Sequence, residues 1–116
     1  VAICRVEQLA PFPRVALREV LDGYPSLEEV VWLQEEPENM GAWDWVRGQL
    51  VETIQDQFSL RYIGRVRSAS PSEGSSAWHQ INQRRLVDEA FTLDSGDINE
   101  PTVLSKAVQS LAAFKR

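Results

Sequence analysis

Two adjacent carboxylates, Glu35 and Glu36, follow the apolar run VVWL and open the stretch QEEPENMGAWDW at residues 34–45. Paired carboxylates are the raw material of general acid–base chemistry. Neighbouring residues on an extended segment point to opposite faces, so these two do not readily share one substrate. Their position still matters, because ligands of open α/β sheets bind at the carboxyl ends of parallel strands. The plainer reading is favoured on chemistry alone: solvated strand-end residues, or carboxylates that favour the dipole of the next helix. Gly41 gives close backbone approach, and Trp43 is expected in the core. A second cluster, RVRSASPSEG at residues 65–74, places Arg65 and Arg67 two apart ahead of the hydroxyls of Ser68 and Ser70. Guanidinium groups beside unpaired helix N–H groups make a natural phosphate or carboxylate site. The competing reading is an ordinary capped helix with two surface arginines. A third cluster, Ser75, Ser76 and His79, has helical spacing. A serine–histidine nucleophile also needs an orienting carboxylate and an oxyanion hole, and the sequence indicates neither. Hydrolase chemistry is therefore rejected. Glycine-rich phosphate loops of the P-loop or dinucleotide type are absent.

The elements that must position these clusters follow from periodicity. VAICRVEQL reads as a buried strand stopped by Pro11 and Pro13, which cannot donate ladder hydrogen bonds. Val15, Leu17, Val20 and Leu21 recur at helical spacing, with Gly23 as C-terminal cap. EEVVWLQ is a second strand. Trp43, Val46, Leu50, Ile54 and Phe58 then mark an amphipathic helix, and LRYIGR a third strand. SPSE at residues 70–73 fits a capping box, with Ser70 as N-cap, Pro71 at the first helical position and Glu73 at the third. The helix it opens is expected to turn Trp78, Ile81, Leu86 and Ala90 inward. LDSGDINEP is a loop, and Pro101 begins a last helix with Leu104, Ala107, Val108, Leu111 and Phe114 on one stripe.

The order β-α-β-α-β-α predicts an α/β three-layer sandwich: a mainly parallel sheet with helices on both faces. Three strands make a thin sheet for that class, which points to a first strand and helix lying upstream or coming from a partner. A length of 116 residues suits one domain, and 43% hydrophobic with 25% charged residues fits a globular one. A net charge of −5 without a basic run argues against nucleic acid and anionic membrane as main partners. The single Cys4 excludes an internal disulfide, and with one histidine it makes zinc chemistry improbable and a reducing compartment the better fit.

Taken together, RVEQLAPFP, VVWLQEEPENMGAWDWV and LRYIGRVRSASPSEGSSAWHQINQRRLVDEAF resemble the C-terminal domain of the 2-oxoglutarate dehydrogenase first component, the thiamine diphosphate-dependent decarboxylase. The family pattern is matched at residues 5–13, 34–43 and 61–74 and at His79, in order, across about residues 1–91. The resemblance implies a transketolase C-terminal-like fold over residues 1–93, with 94–116 as linker and C-terminal helix outside the match. It also implies that this chain binds no cofactor itself, since thiamine diphosphate and magnesium lie between upstream domains of the parent. The implied partners are those upstream domains, a second subunit of a homodimer and the lipoyl succinyltransferase, in a bacterial cytoplasm or a mitochondrial matrix. Gln34, Glu35, Glu36, Trp43 and His79 become candidates for the domain interface. Arg65, Arg67, Ser68 and Ser70 become candidates for a regulatory nucleotide or acyl-CoA contact, with AMP or acetyl-CoA as ligand. The family's domain normally starts one strand and helix earlier, in keeping with the thin sheet. The rival expectations are a free-standing regulatory domain and a surface for assembly.

Overall fold

The structure, a computed structural model, describes residues 1–92 and 107–111. Strands β1 (Ala2–Cys4), β2 (Leu27–Pro37) and β3 (Ser59–Arg65) alternate with helices α1 (Arg14–Asp22), α2 (Trp43–Ile54) and α3 (Ser76–Phe91), and β4 is Ala107–Leu111. All pairings are parallel, in the order β1-β4-β2-β3. The expected α/β sandwich is therefore present, with a fourth strand between the first two. At 107–111 the strand replaces the expected C-terminal helix. A five-residue segment with apolar Ala107, Val108 and Leu111 fits either period, and pairing on both sides between β1 and β2 decides for the strand. The remainder of the expected linker and helix lies outside the described residues.

Alternation along β2 separates two cores. Val30 and Trp32 face α1 and α2, packing with Cys4, Leu17, Leu21, Val46, Leu50 and Ile54. Val31 faces the other way, with Ile63 and with Leu86 and Ala90 of α3. Period-2 burial in the strand and period-3.6 burial in the helices thus meet in three layers. Polar links fasten α1 to α2: Arg14 Nε donates to Gln49 Oε1 at 3.0 Å, and the Arg18 guanidinium lies 5.8 Å from the Phe58 ring centre. Gln55 and Asp56, both at positive φ, end α2. Phe58 therefore packs on the core from beyond the helix instead of continuing its stripe.

Three expectations need correcting. Val15 lies on the solvent side of α1, 75% exposed, because Leu17 and Leu21, with Val20 half-buried beside them, form the face that covers the sheet. Trp78 and Ile81 are also exposed, at 57% and 56%, since only the later turns of α3 cross β2 and β3. The expected capping box does not form. Ser75 is the N-cap, its Oγ accepting from the Trp78 N–H at 3.4 Å, and residues 70–74 form a loop. Gly74, at φ +69°, breaks any helix there, and Glu73 is drawn away to other partners. Among the described residues no helix is long and apolar enough to cross a membrane.

Replacing Leu50, fully buried between α1, α2 and the sheet, by alanine should cost about 2–5 kcal/mol of unfolding free energy. Val15→Ala should change it by less than about 0.5 kcal/mol. Urea titrations of both variants check the assignment, and equal losses would contradict it.

Candidate functional site: the carboxyl edge of the sheet

β2 runs on through Glu35, Glu36 and Pro37 instead of stopping at Gln34. Its register against β3 shifts between Leu33 and Pro37. That irregularity brings both Glu35 and Glu36, still exposed, to the wall of one cavity of about 640 Å³, so they are not segregated to opposite sides. Arg65, Glu73, His79 and Asn82 line the same cavity.

Gln34 is 6% exposed, and its side chain gathers the turn that follows. The amide nitrogen donates to the carbonyls of Met40 at 2.8 Å and Pro37 at 3.1 Å, while Oε1 accepts from the Trp32 indole N–H at 3.0 Å. Gly41 closes this turn at φ +67°. A Cβ there would sit 3.2 Å from Glu36 Cβ and 3.3 Å from the Gln34 amide nitrogen. Trp43 starts α2 with its ring 5.0 Å from that of Tyr62. The Tyr62 ring in turn occupies the space above Gly64, where any Cβ would overlap its hydroxyl. An isolated glycine inside a strand pattern signals such a close approach, and Gly64 in LRYIGR is the sequence signal that identifies Tyr62.

Two loops meet at this edge. Asn39 Nδ2 donates to the Ser68 carbonyl at 2.9 Å and its Oδ1 accepts from the Ser68 N–H at 3.0 Å. The Glu38 N–H donates to the Arg65 carbonyl at 2.9 Å, extending the ladder. Behind them Glu73, its side chain 6% exposed, accepts from Arg65 Nε at 2.8 Å and from Asn82 Nδ2 at 2.9 Å, with His79 Nδ1 at 3.1 Å. Arg65 also donates to the Pro71 carbonyl at 2.9 Å.

These contacts locate every residue singled out from the sequence. Gln34 and Trp43 are buried and shape the edge from beneath, whereas Glu35, Glu36 and His79 form its surface. Arg65, Arg67 and Ser68 line a smaller cavity of about 350 Å³ together with Arg85, and Ser70 lies outside it. The helix N-terminus expected at Ser70 is five residues further on. The N–H groups of Ser68, Ser70, Ser72 and Gly74 are each taken by a side-chain oxygen. Arg65 is engaged by Glu73, and Arg67, largely exposed, sits 3.5 Å from Glu38. Ser75 Oγ serves as a cap and the His79 ring is turned to Glu73, so no serine–histidine pair forms. Among the described residues no group of three histidines, cysteines or carboxylates could hold a metal ion.

A parallel sheet sandwiched by helices, with its carboxyl-edge loops latched together, defines a domain of the transketolase C-terminal-like class. The family described as 2-oxoglutarate dehydrogenase C-terminal matches residues 1–91, and the chain belongs to it. It is 50% identical over 92 residues to the 2-oxoglutarate dehydrogenase E1 component of Shouchella clausii (strain KSM-K16), covering 79% of this chain and 10% of that protein. Against the protein of the same name from Bacillus subtilis (strain 168) the identity is 44% over 90 residues, 78% of this chain and 10% of the relative. The multifunctional 2-oxoglutarate metabolism enzyme of Mycobacterium sp. (strain KMS) is 48% identical over 92 residues, 78% of this chain and 7% of its own length. The chain thus spans about a tenth, or less, of the curated relatives it matches.

Two measurements check the latch. Gln34→Glu keeps the shape but sets a carboxylate against two carbonyl oxygens. It should lower unfolding free energy at pH 7 by about 2 kcal/mol or more, and an unchanged urea midpoint would show that the amide is not the tie. Tyr62 titrates above the ordinary tyrosine value of 10.0, first because burial disfavours the phenolate, and further because Glu38 and Glu36 lie near; the Gln34 hydrogen bond and Arg65 act the other way. The folded state therefore holds this proton more tightly than the unfolded chain. The contribution is complete below pH 10.0 and is lost as pH rises through the folded value. The fall in stability above pH 10 should be shallower in Tyr62→Phe than in the wild type.

Proposed function

We propose that this chain acts as the C-terminal structural and regulatory domain of a 2-oxoglutarate dehydrogenase first component. In that role it supports oxidative decarboxylation of 2-oxoglutarate and succinyl transfer to a lipoyl carrier. The family membership of residues 1–91 carries the reading. Thiamine diphosphate would supply the carbanion chemistry from upstream domains. The contribution of residues 1–93 is a rigid docking edge: Gln34, Gly41 and Trp43 fix its shape, and Glu35, Glu36 and His79 present it. Its outward charge is acidic, because the Arg65 guanidinium is already engaged by Glu73. A basic face on the upstream domains or on a second subunit is the complementary surface. Exposed Trp78 and Ile81 at the start of α3 add apolar area beside it. The lipoyl succinyltransferase would be met by the assembled enzyme, in a bacterial cytoplasm or a mitochondrial matrix.

A second reading has one observation behind it. The cavity of about 350 Å³ is lined by Arg65, Arg67 and Arg85, a cationic wall suited to the phosphates of AMP or acetyl-CoA. Of the three arginines Arg67 is the most exposed, and Arg65 and Arg85 are each paired with a glutamate. Calorimetric titration with either ligand, repeated with Arg67→Ala, separates a binding site from a structural wall. Binding heat that survives the substitution would count against Arg67.

The isolated 116-residue chain should give no turnover of 2-oxoglutarate with added thiamine diphosphate and magnesium. Residues 1–91 grafted in place of the matching segment of the Bacillus subtilis relative should keep activity within about tenfold. The same graft carrying Glu35→Lys and Glu36→Lys should lose considerably more, as like charges are brought to a docking edge. Turnover by the isolated chain, or a charge-reversed graft as active as the plain one, would overturn the reading.

A further inference from the structure

A second cavity, of about 550 Å³, opens at the carboxyl edge beside the polar one of about 640 Å³. Its walls are largely apolar: Val6 and Leu9 beyond β1, Leu33 of β2, Ala42 ahead of α2, and Leu86 with Val87 of α3. Leu33 packs against both cores, so this groove lies where the two helix layers part at the end of β2. Its shape is set by the fold. The Trp45 indole N–H donates to the Leu9 carbonyl at 3.1 Å and holds that wall, while buried Trp32 and Gln34 close the floor. Leu9 and Val87 stay 39% and 50% exposed on the rim, apolar surface left in water.

Charge on the rim has one sign. Glu7, Glu35 and Glu36 border the groove, and no lysine or arginine among the described residues does. Glu7 is paired with Arg5. Glu35 and Glu36 line both cavities and so form an acidic ridge between them. We propose that the groove is the anchor point of the docking edge. It receives a bulky aliphatic or aromatic side chain, adjacent in sequence to a lysine or arginine, from a segment of the upstream domains. The apolar group leaves water in the groove while its basic neighbour reaches the ridge. An acidic segment does not fit, because like charges would meet at Glu35 and Glu36. An apolar anchor in a preformed pocket with a polar rim is the arrangement that concentrates binding energy at interfaces. This inference rests on the domain role proposed above and adds to it the kind of segment that the edge grips.

The Bacillus subtilis relative carrying residues 1–91 in place of its own matching segment supplies the test. Benzoylphenylalanine put in place of Val87 and irradiated should cross-link to a segment outside the graft where an apolar residue adjoins lysine or arginine, as mapped by mass spectrometry. Cross-links confined to residues 1–91, or to a segment without a basic residue, overturn the proposal. Leu9→Glu with Val87→Glu should lower the activity of the graft by about tenfold or more, because charge enters an apolar contact. Val15→Glu, exposed on α1 outside the groove, should stay within about twofold. Equal losses, or none, would also overturn it. In the 116-residue chain the double substitution should shift Tm by less than about 4 °C, which separates lost docking from a lost fold. If Glu35→Lys with Glu36→Lys impairs the graft while Leu9→Glu with Val87→Glu does not, the groove is overturned and the acidic edge stands. An inactive plain graft overturns the domain role, and the cross-links then decide on the groove alone.

Discussion

A carboxamide has two N–H donors and one acceptor oxygen, and at Gln34 they are committed to one buried arrangement. The carboxyl edge depends on it. Pro37 offers no N–H to a ladder, and β2 loses register with β3 at this point, so the turn that follows has little regular pairing to hold it. The Gln34 amide supplies a donor to the Met40 carbonyl and a second one to the Pro37 carbonyl, which also accepts the Met40 N–H at 2.8 Å. Gly41 is then confined by the side chains of Gln34 and Glu36, which sets the entry of α2 and with it the Trp43 ring. Tyr62 receives that ring, and Gly64 makes room for Tyr62.

Electrostatics give the second loop its path. A carboxylate with only 6% of its side chain exposed needs its lone pairs satisfied, and Glu73 meets that need with Arg65, Asn82 and His79. Arg65 in turn holds the Pro71 carbonyl, so residues 71–73 fold back over the end of β3. A buried ion pair of this kind is a weak source of net stability, but breaking it by removing one partner leaves an uncompensated buried charge. It also decides the sign of the larger cavity. With Arg65 balanced by Glu73, Glu35 and Glu36 remain as the outward charges. An anion site built on Arg65 would first have to displace a neighbouring carboxylate.

Much of the scaffold was legible in the residues. β2 and β3, the helical stripe of α2 and the inward positions Leu17, Leu86 and Ala90 follow from periodicity, because burial in a layered fold repeats with the element. What escaped depends on contacts between distant residues. SPSE has the spacing of a capping box, but spacing does not reveal that Arg65, six to eight residues earlier, captures Pro71 and Glu73. Trp78 and Ile81 belong to an apolar pattern, yet the sheet is too narrow to reach the first turns of α3. Periodicity over 104–114 satisfied a helix, and only the vacancy between β1 and β2 turned 107–111 into a strand. In the candidate site, the residue types were visible while their division into buried clamps and outward carboxylates was not.

This division explains why the most diagnostic stretch carries no visible chemistry. In QEEPENMGAW, Gln34, Asn39, Gly41 and Trp43 each meet a geometric demand that few other residues satisfy: two donors in a buried turn, a paired donor and acceptor across loops, a positive φ in close quarters, and a ring against Tyr62. Glu35 and Glu36 meet no such demand inside the chain and stay at the surface. If the stretch served only to hold the fold, these two positions would be free to take any polar residue. The latch holds the two carboxylates outward at the wall of the larger cavity. The same logic applies beneath the latch, where β1 and β2 leave a place for a strand that the matched region does not contain. β4 takes that place, pairing with β1 on one side and with β2 on the other.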